Sequence, residues 1–229
     1  MIKRIARTAG FSGLLAALLL TLLQSLWVTP LILQAETFES SAPSAEHHAH
    51  GDGTVAHTHD AEAWAPEDGW QRVLSTTGGN LVVAVGFALI LVALYSLREP
   101  GRVATGALWG LAGFAVFCLA PTLGLPPELP GTVAADLGQR QAWWAGTAAA
   151  TAAGLALAVF ARHWLFKVLG VALLTVPHLV GAPQPTVHES LAPEALEAQF
   201  KLASWLTNAA FWLALGLLSA WLYRRSSQA

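Results

Sequence analysis

The amino-acid sequence predicts an all-α, polytopic membrane protein with about six transmembrane helices. Three observations carry that prediction. The chain of 229 residues is 55% hydrophobic and only 11% charged, whereas roughly a quarter of the residues in a soluble domain are charged. It holds six apolar stretches near the ~20 residues that a helix needs to cross a bilayer. Its basic and acidic residues sort to opposite ends of those stretches. Ten Trp fit interfacial anchoring. The single Cys118 excludes a disulfide framework and a CxxC-type metal site.

The first stretch covers residues 9–33. At about 25 residues, with Gln24 and Pro30 inside it, it exceeds the ~7–15 expected of a signal-peptide core and reads as an uncleaved helix. Stretches at 79–97, 103–125, 141–161 and 202–222 follow the same logic. The fifth, 164–181, is the weakest, bounded by "RHWLFK" and "GAPQP", and the count falls to five if it is re-entrant. The chain thus divides into an N-terminal helix (1–35), a His-rich loop (36–78) and a five-helix remainder (79–229).

Lys and Arg set the orientation, because cytoplasmic loops carry the excess of both. With the N-terminus inside, Lys3, Arg4, Arg7, Arg98, Arg102, Arg162, Lys167, Arg224 and Arg225 share its side, nine of the 12 basic residues. Of the 14 acids, all but Glu99 fall on the other side. A wrong span count would scramble this sorting. The reading is therefore six helices, both termini cytoplasmic, and the loop after the first helix extracytoplasmic.

Small residues mark helix contacts. Gly106, Gly110 and Gly113 in "GALWGLAG", and Gly146, Ala150 and Gly154, let helices approach closely in lipid. The three outward-going helices carry Pro30, Pro121 and Pro177 near their outer ends. Each inward-going helix begins with an acid four residues before a base: Asp68 and Arg72, Asp136 and Arg140, Glu197 and Lys201. Two of these starts, "DGWQRVLSTTG" and "DLGQRQAWWAG", also share Gln, Arg and a final Gly. They read as three degenerate helical hairpins, with chance likeness as the alternative. Each pair is expected to form a surface ion pair worth a few tenths of a kcal/mol.

The chemistry concentrates in the first loop. From Glu36 to Gln71 there is no Lys or Arg, but eight acids and five His. His47, His48, His50, His57 and His59 offer neutral imidazoles, which suit Co, Ni, Cu and Zn, where carboxylates alone would suit Ca or Mg. With an ordinary imidazole pKa near 6.5, roughly three-quarters of each is neutral at pH 7 and about a tenth at pH 5.5, so capture weakens on acidification. The competing reading is a solvated linker with no ligand. His178 follows Pro177 near the outer end of the fifth helix, where an ionisable residue is expected to be functional or interfacial. Pro177 also strips the carbonyl one turn upstream of its amide partner. His188 and Glu189 could join His178, and Glu36 and Glu39 could hand ions from the loop to the bundle. Gln24, Asn80 and Asn208 are expected to bond between helices. No GxxxxGK[ST], HExxH or GxSxG occurs, so neither ATP hydrolysis nor these hydrolase chemistries are encoded. No permanently bound cofactor is expected.

Together "VTPLILQAETFE", the His-rich loop, "WAPEDGWQR", "LWGLAGFAVFCLAPTLGLPPELPG", "AADLGQRQAWW" and "VPHLVGAP" resemble CbtA, a family of cobalt transporter subunits, over nearly the whole chain. That resemblance implies a bacterial inner-membrane protein importing cobalt for cobalamin synthesis. It also implies a small partner, CbtB-like, with a single membrane helix and its own histidines. Nothing in the residues separates cobalt from nickel. The expected function is divalent-metal transport, with the metal as cargo bound at His47, His48, His50, His57, His59, His178, His188 and Glu36. A non-transporting metal sensor or docking protein is the alternative. A haem protein using His163 and His178 fares poorly, because the topology puts them near opposite membrane faces.

Overall fold

The structure, a computed structural model, describes residues 2–41, 66–67 and 69–226. The histidines at 47, 48, 50, 57 and 59, and Asp68, lie outside the described residues. Those described form six helical rods. The first is α1 (Ile2–Leu23), a π-helical turn π1 (Gln24–Val28) and α2 (Thr29–Ser41). The second is α3 (Trp70–Leu97). The third is α4 (Val103–Phe114), a π-helical turn π2 (Ala115–Leu119) and α5 (Ala120–Thr122). Then come α6 (Leu137–Phe160), α7 (Trp164–Val180) and α8 (Glu194–Arg225). Five rods are long and apolar enough to cross a membrane, and α7 is the short one. Its 17 residues reach about 25 Å at ~1.5 Å per residue, just under the ~30 Å hydrocarbon core. Gly181, at φ +84°, ends it with a conformation that favours glycine, its N–H donating to the Pro177 carbonyl.

The two π-turns have one cause. Proline has no N–H and its ring collides with the carbonyl one turn upstream. Before Pro30, the Thr29 N–H donates to the Gln24 carbonyl, five residues back; before Pro121, the Ala120 N–H donates to Ala115 in the same way. One extra residue in the turn makes room for each ring, as π-bulges do. In both rods the turn ends two residues before the proline, so the sequence likeness of the first two hairpins extends to the backbone. Pro177 sits inside α7, which carries no π-turn, and the third hairpin diverges.

Packing joins α1 with α3, α4 with α8, and α6 with α7 most extensively, and α1 also lies against α8. The second hairpin is therefore splayed: α4 leaves its sequence neighbour for α8. Glycine explains the choice. A methyl group on Gly106 or Gly110 would run into the backbone of Gly216 or Trp212, and one on Gly216 into Gly106. A Cβ on Gly154 would lie 2.7 Å from the Gly170 carbonyl oxygen, and one on Gly13 2.7 Å from the Val85 Cα. Gly146, expected to share the contact of Gly154, meets nothing within 4 Å, because its direction on α6 points away from α7. Where α6 faces α4 the spacing is set by large rings instead, Phe117 with Trp144 and Trp109 with Phe160.

The core centres on Tyr95, Phe211, Trp212 and Leu215. The Tyr95 hydroxyl shares a hydrogen bond with Ser219 Oγ (3.2 Å) and donates to the Gly216 carbonyl (3.3 Å), so that this buried phenol is paired. At the basic end Arg4 stacks on Tyr223 and donates to its carbonyl, Arg98 lies over Phe160, and Arg224 donates to the carbonyls of Pro100 and Gly101. The cations that sort to one face thus also stitch that face together.

Gly216→Ala is expected to cost about 1–3 kcal/mol by overpacking. Gly146→Ala, facing open space, should be neutral or stabilising by a few tenths. Thermal unfolding of the two variants in the same detergent checks this, and equal midpoints would contradict the close-contact reading.

Candidate functional site

At the acidic end, two loops meet. Thr132 and Ser190 form an antiparallel bridge, flanked by Val133 N–H donating to the Glu189 carbonyl (2.9 Å) and Leu191 N–H to the Gly131 carbonyl (3.3 Å). Gly131 takes φ +78°, a conformation open to glycine at little cost. Below the bridge an apolar cluster of Val28, Ala35, Leu129, Ala192, Leu196 and Phe200 ties the loops to α2 and α8. Sequence separation hides this arrangement, since the loops are joined only through the fold.

Between these loops and the first turns of α6 and α8 lies a cavity of about 530 Å³. Its lining includes four carboxylates, Glu128, Glu189, Glu194 and Glu197, against two cations, Arg140 and Lys201. Arg140 pairs with Glu128 at 3.0 Å, and Lys201 with Glu197 at 3.1 Å. Glu189 and Glu194 make no ion pair among the described residues. The cavity therefore keeps an excess of negative charge, and hydroxyls of Thr132 and Ser190 add neutral oxygens.

Two of the three expected acid–base pairs can be placed. Glu197–Lys201 forms as expected. Asp136–Arg140 does not: the Asp136 carboxylate instead caps α6 by accepting the Gln139 N–H at 2.9 Å, and Arg140 turns to Glu128. An Asp at this position satisfies an orphan helix amide, which a distant Arg cannot do. Arg72 holds both oxygens of Glu36, at 3.0 and 3.3 Å. In the first two hairpins, then, an acid following the helix proline binds the Arg of the next rod.

The expected donors are dispersed. His188 is exposed and lines the cavity, with Nε2 3.4 Å from Gln184 Oε1. His178 is exposed on the last turn of α7, its ring edge-on to Trp143 at 6.1 Å between centroids. Glu39 is exposed near the end of α2. Among the described residues no group of three or more His, Cys, Asp or Glu could hold a metal ion. His163 sits at the opposite end of α7, where Nδ1 accepts the Leu165 N–H, far from any pairing with His178. Asn80 bonds between rods, donating to Thr21 Oγ1 (3.0 Å) and Gln24 Oε1 (2.7 Å). Asn208 accepts from Cys118 Sγ at 3.7 Å.

The Glu36–Arg72 pair is about a third exposed on each side, so its coupling is expected near 0.5–1 kcal/mol. A double-mutant cycle with Glu36→Gln and Arg72→Gln checks it. Additive losses of stability would show that the two side chains do not interact.

Comparison with known families adds what geometry cannot. A family model described as "Probable cobalt transporter subunit (CbtA)" matches residues 2–224, spanning all six rods and both loops of the cavity. No curated protein and no solved structure matches the chain. By the family match this chain belongs to the CbtA family of probable cobalt transporter subunits, and is a transporter subunit rather than an enzyme.

Proposed function

We propose that this chain imports a divalent transition metal, cobalt above all, for cobalamin synthesis. The observation that carries the reading is the acidic cavity, where unpaired carboxylates, His188 and hydroxyls gather at the end of a membrane bundle. In this reading the acidic face is extracytoplasmic and both termini are cytoplasmic, in a bacterial inner membrane. His47, His48, His50, His57 and His59 collect ions, the cavity with His188 concentrates them, and His178 receives them at the bundle. Glu36, neutralised by Arg72, organises the base of the His-rich loop. A negative interior potential favours inward flow by roughly 2.3 kcal/mol per charge per 100 mV, about twice that for a dication. The partner is a small single-helix membrane protein bearing histidines of its own.

Uptake of radioactive cobalt by cells producing the protein tests this. Deleting residues 47–59 should raise the concentration for half-maximal uptake several-fold and leave the maximal rate largely intact. Acidification from pH 7 to 5.5 should weaken half-saturation in the parent more than in the deletion, because imidazole loses its lone pair to a proton in that window. His178→Ala should lower the maximal rate. Parent-like uptake by both variants would remove these residues from the pathway.

A further inference from the structure

Five buried polar atoms have no partner among the described residues: Nε1 of Trp143 and Trp205, and the hydroxyls of Thr147, Thr151 and Thr207. Three of them, Trp143, Thr147 and Thr151, recur every fourth residue and so line one stripe of α6. That stripe continues to Gly154, which packs on Gly170 and Leu174 of α7. At its other end Trp143 meets His178. This register leaves Thr147 and Thr151 opposite the turn of α7 from Leu174 to Pro177, which is itself buried. Pro177 has no N–H, so the Leu173 carbonyl under its ring lacks the amide that a helix would supply.

Unpaired polar groups are expensive in a membrane interior, where no water can replace the lost bond. Other hydroxyls in this chain avoid that cost by folding back on their own helix, as Ser12 does on Thr8, Thr77 on Val73 and Thr175 on Ala172. Thr147 and Thr151 do not, and they are 1% and 3% exposed. Hydroxyl and carbonyl oxygens are the ligands that can replace part of an ion's hydration shell without holding it too tightly to leave.

We infer that the α6–α7 seam is the route by which a partly hydrated divalent cation enters the bilayer, with the Thr147 and Thr151 hydroxyls and the Leu173 carbonyl as its oxygen ligands. The route begins beside His178 and is closed past Thr151 by the backbone contact of Gly154 with Gly170. The Trp143 N–H, buried and unpaired beside His178, can donate to a water that travels with the ion. The identity of the cargo rests on the import reading above; the hydration of the seam does not.

The experiment places single cysteines in a Cys118→Ala background and treats membrane vesicles, sealed or permeabilised, with a cationic membrane-impermeant methanethiosulfonate. Thr147→Cys and Thr151→Cys should react at least about tenfold faster than Thr207→Cys, a hydroxyl equally buried in α8, and cobalt should slow the reaction. Immunoblotting gives the amount of each variant in the membrane. In uptake, the double variant Thr147→Val, Thr151→Val should lose about tenfold or more of the maximal rate, while Thr207→Val stays near the parent. Labelling at 147 and 151 no faster than at 207 overturns the inference, whatever uptake the parent shows. Fast, cobalt-protected labelling together with a parent that imports no metal would sink the import reading and leave the hydrated seam standing.

Discussion

A peptide group inside hydrocarbon has only the protein to bond with. Regular helices meet that demand automatically, so the instructive places are where this chain breaks its own ladder. It does so at three prolines. Around Pro30 and Pro121 the rod answers with a π-turn and surrounds the disturbance with polar side chains from neighbouring rods, Asn80 at the first and Asn208 at the second. Around Pro177 there is no π-turn, and the adjacent helix presents unpaired hydroxyls instead. The fold handles one backbone defect in two ways.

The same contrast appears in how the rods touch. Within α1–α3, α4–α8 and α6–α7, glycine brings backbones together, and such seams cannot slide without collision. Between α4 and α6 the contact is made by rings at wider spacing. Packing of this kind has fewer interlocked backbone atoms, which makes the α6–α7 pair the least constrained part of the bundle. The loops at the acidic end then bridge the two parts, through Thr132 and Ser190, and the cavity forms at that bridge. The acidic end is thus where the two parts are held together, and also where cations would gather.

Arginine is used differently at the two faces. At the basic face Arg4, Arg98 and Arg224 stack on rings or donate to chain carbonyls, which fixes the rod ends. At the acidic face Arg72 pairs with Glu36 of α2, and Arg140 with Glu128 of the loop before α6. Those pairs hold the loops down and leave other carboxylates, Glu189 and Glu194, to set the field of the cavity. Arg72 grips its carboxylate with two bonds, the geometry a guanidinium favours, and Arg140 holds Glu128 with one.

Much of this was legible in the linear chain. Apolar length and charge sorting specify six rods, and the weak fifth stretch is indeed the short helix, because hydrophobicity along a span depends on local composition alone. The matched prolines also marked a likeness of the first two hairpins that the π-turns extend to the backbone. Partner choice was not legible. Nothing in "DLGQRQ" says that Asp136 will cap its helix and release Arg140 to Glu128, since capping competes with ion pairing only once the helix start is placed. Nor does spacing reveal that α4 abandons α6 for α8, or that Thr147 and Thr151 face a proline-broken turn. Local patterns determine which segments become helices and which residue types reach each end of them. Which side chains meet, and which stay unsatisfied, depends on the register and distance between rods, and only the assembled bundle decides those.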